Sequence, residues 1–180
     1  MNATPFLGAL LDGLSAEKLE TVLIGNAAAA LLGAPVTTLD FDFMFRDTVA
    51  NLVKLKRIAK RLDAVILRPF YPVSRLYRLS ADSSGLQADF MPVIHGVRSF
   101  ESLRSRAVAI EIDGRKTLVA ALDDIIASKR AAGRDRDLAV LPILERTAAL
   151  LRGQAPAVAP ATETTKPPGG RRGRAKKQDR

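Results

Sequence analysis

Residues 38–45, TLDFDFMF, restrict the fold more than any other stretch of this chain. Apolar and polar residues alternate through it: Leu39, Phe41, Phe43 and Phe45 share one face, and Thr38, Asp40, Asp42 and Met44 the other. That period of two predicts a β-strand with its phenylalanines in a core and two aspartates side by side on the opposite face. The residues before it predict a second strand close by. TVLI, β-branched and apolar, reads as a buried strand. Gly25 ends it, and residues 26–33 read as a tight helix of small residues stopped by Gly33 and Pro35.

The rest of the chain predicts a mixed sheet. The opening residues read as an amphipathic helix over 5–12, with Thr4 as its cap, Pro5 in its first turn and Gly13 as its stop, followed by a brief helical turn from Ser15. A polar helix is expected over 48–61, then a short strand, AVIL, and a hairpin turning at Ser83 to Gly85. A short helix near SFESLRSR leads to a second hairpin at Asp113-Gly114, a strong two-residue turn signal. Helices over 121–132 and 134–151 finish the fold, with Pro142 expected to kink or interrupt the second. The expected class is α/β, a mixed β-sheet flanked by helices.

At 180 residues there is room for one compact domain, expected over 1–152, plus a tail. From 153 to 180 the chain turns Pro/Ala/Thr-rich and then Gly/Arg/Lys-rich, with nothing to bury, so a disordered basic tail is expected. The stretch from Glu163 onward supplies +5 of the net charge of +9. The tail either tethers RNA by phosphate contacts or only keeps the chain soluble. Charges interrupt every apolar run well short of the roughly 20 residues of a membrane span. A soluble cytoplasmic protein is therefore expected, with no membrane partner. With no cysteine, thiolate nucleophiles and Cys-ligated zinc are excluded, and the single histidine, His95, excludes a site of several imidazoles.

Three readings compete for the central stretch: a dinucleotide-binding turn, a metal-dependent phosphoryl-transfer site, or only a well-packed β-α-β fragment. As a dinucleotide-binding turn it is poor, because only Gly25 among Gly25, Ala27 and Ala30 fills a glycine position of G-x-G-x-x-G. The aspartates say more. Residues i and i+2 of a strand point the same way, so Asp40 and Asp42 present adjacent carboxylates that repel unless something positive lies between them. A divalent cation with oxygen ligands meets that need. Asp135 and Asp137 form a second D-x-D, but in a predicted helix they diverge by roughly 200° and cannot share an ion. Asp89 sits mid-strand in LQADFMPVI. It completes a three-carboxylate cluster if its strand lies beside that of Asp40 and Asp42, and is otherwise a surface aspartate on an open sheet face. Lys129 falls on the apolar stripe of Leu122, Ile125 and Ile126, either snorkelling at its edge or aimed at a phosphate or the carboxylates.

The turn Gly25-Asn26, the alanine-rich helix, Gly33, Thr38-Leu39-Asp40-Phe41-Asp42, Asp89 and then DDIIASKRAAGRDRDL together resemble the nucleotidyltransferase superfamily that includes DNA polymerase β. The resemblance spans most of residues 18–145 and is nearest to the small prokaryotic branch of abortive-infection and toxin–antitoxin nucleotidyltransferases. It implies the minimal nucleotidyltransferase fold and transfer of an NMP from an NTP to a hydroxyl acceptor, with release of pyrophosphate. It further implies Asp40, Asp42 and Asp89 as ligands of Mg2+ (or Mn2+), and these three with Lys129 as catalytic residues. Gly25, Asn26, Thr38 and Arg134 are the implied nucleotide-binding residues, although Arg134 and Asp137 equally suit an i, i+3 helix pair. Two positions depart from the pattern: Asn26 stands where relatives carry Gly or Ser, and Val36 where many carry Arg. The implied partners are an NTP, an acceptor such as RNA (tRNA), and a cognate antitoxin. The alternative is a catalytically degenerate nucleotide- or RNA-binding member of a toxin–antitoxin-type system.

Overall fold

The computed structural model describes residues 4–153 apart from Leu39 and Ser84; the expected tail lies outside the described residues. In chain order the elements are α1 (Thr4–Ala16), β1 (Thr21–Ile24), α2 (Gly25–Leu31), β2 (Phe41–Phe45), α3 (Val49–Arg61), β3 (Val65–Leu67) and β4 (Tyr77–Ala81). They continue as β5 (Leu86–Met91), α4 (Phe100–Arg104), β6 (Val108–Ile112), β7 (Arg115–Val119), α5 (Leu122–Ala132) and α6 (Asp135–Leu151). The seven strands form one sheet in the order β3-β4-β5-β2-β1-β7-β6. Pairing is parallel between β1 and β7 and between β2 and β5, and antiparallel elsewhere. The architecture is the α/β mixed sheet flanked by helices that the residue pattern predicts.

β1 and β2 lie at the centre, and their composition follows from that place. All four residues of TVLI are buried, which requires cover on both faces of the sheet. Phe43 and Phe45 are fully buried as the alternation predicts, and Met44 is buried with them because its own face is also covered at that depth. Phe43 stacks on Phe90 of β5 with ring centroids 5.1 Å apart, and Phe45 meets Phe90 and Tyr77 edge-on. The strand begins at Phe41, so Asp40 sits in a bend just before it rather than within it.

Local chemistry explains most boundaries. Thr48 caps α3, its hydroxyl accepting from the Asn51 N–H at 3.2 Å. Asp113 and Gly114 both have positive φ, 49° and 77°, the left-handed pair a two-residue hairpin needs. Two expectations are corrected. α1 does not stop at Gly13 but runs on to Ala16, absorbing the separate turn expected from Ser15. Gly13 is an approach point instead of a stop: a Cβ there would stand 3.1 Å from Ile58 Cγ2 of α3. Likewise α6 runs from Asp135 to Leu151 without interruption at Pro142.

Candidate active site

The centre of the sheet brings the three aspartates together. In the parallel β2–β5 register Asp42 lies opposite Asp89, which meets the condition under which Asp89 joins the cluster. One carboxylate oxygen from each of Asp40, Asp42 and Asp89 lies within 4.8 Å of the other two. They line an open cleft of about 660 Å³ with Gly25, Asn26 and Thr38 on one wall and Lys129 and Arg134 on another.

Each carboxylate is held differently. Asp40 accepts a hydrogen bond from the Thr38 hydroxyl at 2.8 Å, so Thr38 orients a carboxylate, a role beside the nucleotide contact expected of it. Asp89, only 5% exposed, accepts from both Nε and Nη2 of Arg78 at 2.7 Å each. Among the described residues Asp42 has no such partner. Burial, then the charges of Asp40 and Asp89, push its carboxyl up to about 7, against the opposing pull of Lys129 and Arg134.

Gly25 follows directly on β1, where Ile24 pairs with Asp42. Its φ of +70° is left-handed, and a Cβ would lie 2.5 Å from Asp42 Oδ2. The left-handed φ favours glycine here, and a side chain would also have to push the Asp42 carboxylate aside, before any ligand is considered. Beside it, Asn26 Nδ2 points to the Thr37 carbonyl at 3.5 Å, while Asn26 Oδ1 is buried with no hydrogen-bond partner among the described residues. Val36 packs against the core.

Lys129 sits on the buried stripe of α5 with 12% of its side chain exposed. It makes no hydrogen bond to the three-aspartate cluster: its ammonium donates to Asp137 Oδ1 at 3.0 Å. Arg134 Nε donates to the other oxygen of Asp137, the i, i+3 pair open to it from the sequence. Burial alone would raise the Asp137 carboxyl, but the hydrogen bonds from Lys129 and Arg134 outweigh it and hold it below the ordinary range. Both cations still face the cleft. Asp137 thus tethers them on the cleft wall, and Asp135 points elsewhere, exposed.

Two contributors escape the sequence reading. Asp137 is buried because its R-x-x-D partner and Lys129 converge on it, a packing relation between α5 and α6 that periodicity does not reveal. Arg78 had a readable signal. Counting outward from the hairpin turn, Ala81 pairs with Leu86, and Arg78 then falls opposite Asp89. Oppositely charged residues in directly facing positions of a hairpin pair across the strands.

Three carboxylate oxygens at this spacing suit a hard divalent cation such as magnesium or manganese. Burial and then the charges of Asp40 and Asp89 raise Asp42 despite Lys129 and Arg134, and a cation among the three carboxylates would relieve that repulsion.

This topology is that of the nucleotidyltransferase fold. Among solved structures, the antibiotic-resistance factor ANT(2'')-Ia superposes with a TM-score of 0.58 at 14% identity, over 83% of this chain and 91% of that one. It has also been solved in complex with adenylyl-2''-tobramycin. The lincosamide antibiotic adenylyltransferase LnuA, lincomycin-bound, gives a TM-score of 0.58 at 15% identity over 78% and 95% of the two chains. A protein of Thermotoga maritima, provisionally assigned as a nucleotidyltransferase, gives 0.55 at 20% identity over 83% and 92%. At these identities the likeness is one of fold. No family model and no curated protein matches the sequence. No helix among the described residues is long and apolar enough to cross a membrane.

Proposed function

We propose that this protein is a metal-dependent nucleotidyltransferase that moves an NMP from an NTP to a hydroxyl acceptor in the cytoplasm. The observation that carries this reading is the convergence of Asp40 from the bend before β2, Asp42 from β2 and Asp89 from β5 onto one site, beside a glycine fitted to Asp42. The fold shared with two proteins that their names or bound ligands link to adenylyl transfer supports it.

Asp40, Asp42 and Asp89 would hold Mg2+ or Mn2+, which when bound neutralises phosphate charge and polarises the α-phosphoryl group. The chain's own residues supply the rest. The Gly25-Asn26 turn lies against the carboxylates, with Asp42 filling the space a Gly25 side chain would need, and would hydrogen-bond the triphosphate. Lys129 and Arg134, steadied by Asp137, present cations to its oxygens. Asp89 would help activate the acceptor hydroxyl, which attacks the α-phosphorus and gives up its proton to water, while the bond from the α-phosphorus to the bridging oxygen breaks and pyrophosphate leaves. Such chemistry depends on positioning and charge, and the cleft offers both. The acceptor class, whether RNA such as tRNA, a protein or a small molecule, is not fixed by these residues. A toxin–antitoxin setting, with its antitoxin partner, rests on the sequence resemblance alone.

Purified protein with magnesium, each α-labelled NTP in turn and a mixture of total RNA, cell protein and small hydroxylated acceptors tests the reading. Label should pass to an acceptor, and Asp42→Asn should abolish transfer while remaining cooperatively folded. Transfer that survives Asp42→Asn would refute the site. Nucleotide or RNA binding without metal and without pyrophosphate release would favour the binding-only member.

A further inference from the structure

The connection between β3 and β4 separates two cavities. On one side Phe70, Ser74 and Arg75 form part of the carboxylate cleft. On the other, Arg68 and Tyr77 border a second cavity of about 680 Å³ against α3, with Lys56 and Lys60 at its rim and Leu55 and Ala59 in its floor. Asp63 is the one acid of that lining. Lys56, Lys60 and Arg68 form no ion pair with a carboxylate among the described residues, whereas Arg57 on the same helix is paired with Glu17.

The connection itself exposes large apolar side chains: Phe70 is 75% exposed, Tyr71 61% and Val73 93%. Phe70 has a φ of +62°, a left-handed conformation costly for a bulky residue, and strain of this kind gathers at ligand contacts. The Arg68 guanidinium lies 3.9 Å over the centre of the Tyr71 ring, fixing that ring in place. Exposed aromatics beside cations with no acidic partner are a combination that binds single-stranded nucleic acid: bases stack on the rings and phosphates follow the charges.

Resting on the nucleotidyl-transfer reading, we infer that the acceptor is the 3′ end of a single-stranded nucleic acid, its terminal hydroxyl in the carboxylate cleft and its preceding nucleotides crossing Phe70 and Tyr71 toward Lys56, Lys60 and Arg68. The bond formed is then from the 3′ oxygen to the α-phosphorus of the NTP, with pyrophosphate leaving. A small acceptor would fill the cleft and would have no use for the aromatic connection or for the cations beyond it.

Fluorescence anisotropy of 5′-labelled oligonucleotides of about 12 nucleotides tests this, with full-length protein and no NTP or metal. The probes are one RNA, the DNA of the same sequence and the RNA duplex; the two single strands identify which backbone is preferred. Single strands should bind more tightly than the duplex. Phe70→Ser with Tyr71→Ser should weaken binding about tenfold or more. Lys56→Glu with Lys60→Glu should weaken it further as salt rises less steeply, the log–log salt slope falling by about 1.4 for two lost phosphate contacts. Thermal melting should be unchanged, since all four side chains are at the surface. Binding that is absent, that favours duplex, or that persists at wild-type strength in both double variants overturns the inference; the last result would assign it to the basic tail. Failure here leaves transfer to small acceptors intact, and loss of transfer in the labelling assay leaves oligonucleotide binding to be read on its own.

Discussion

Among the described residues Asp42 has neither a hydroxyl partner like that of Asp40 nor a cation like that of Asp89, and its burial beside them sets how the metal-free protein responds to pH. Its carboxyl lies at about 7 in the folded chain against an ordinary 3.8. Between those values the folded state binds more protons than the unfolded, so stability is greatest at the acid end and is lost as pH rises toward and through 7. Urea unfolding without divalent ions should give a lower stability at pH 8 than at pH 5.5, and Asp42→Asn should remove most of that difference and exceed wild type at pH 8. A fall of equal size in Asp42→Asn would exclude Asp42 as its source. Arg78 poses the converse case. Its fork holds both oxygens of a nearly buried Asp89, and with 31% of the Arg78 side chain exposed the pair is only partly desolvated. Arg78→Ala should cost about 2 kcal/mol of unfolding free energy, and Arg78→Lys should recover only part, because an ammonium cannot make both bonds. An unchanged unfolding midpoint in Arg78→Ala would show that Asp89 needs no counter-charge.

Among the elements, those defined by local rules were legible and those defined by contact were not. The strand of TLDFDFMF, the capped α3 and the Asp113-Gly114 hairpin follow from alternation, a Thr cap and a turn dipeptide. Gly13 misleads because glycine as a helix stop and glycine as a packing notch look alike in one sequence; only the presence of Ile58 opposite separates them. Gly13→Val should lower stability by about 1–3 kcal/mol through overpacking, and Ile58→Ala in the same chain should make that penalty smaller than in the wild-type background. Additive effects in the double-mutant cycle would mean that the two side chains do not press on each other. The same distinction applies at the site. Asp40, Asp42 and Asp89 could be picked out by strand alternation, whereas the tethering of Lys129 and Arg134 by Asp137 depends on how α5 and α6 cross.

At the scale of the whole molecule the site lies where the sheet reverses its pairing, antiparallel from β1 to β2 and parallel from β2 to β5. A ligand held there by three carboxylates binds only the folded chain and so stabilises all of it. Magnesium should raise the melting temperature in proportion to the logarithm of its concentration above its dissociation constant, by several degrees at about 100-fold excess. Asp42→Asn should flatten that response; an equal rise in the variant would assign the ion to another site.

The parallel pairing of β2 with β5 also bears on when the protein becomes competent. Asp42 and Asp89 meet only after α3, β3 and β4 have been laid down between them, and β1 must wait longer still for β7. Distant pairings of this kind form slowly, since the loop between them must be closed before any contact repays it. On the ribosome, then, a chain that has already made its first helix and both central strands still lacks its third carboxylate, which arrives only with β5, and the cations of α5 and α6 come later still.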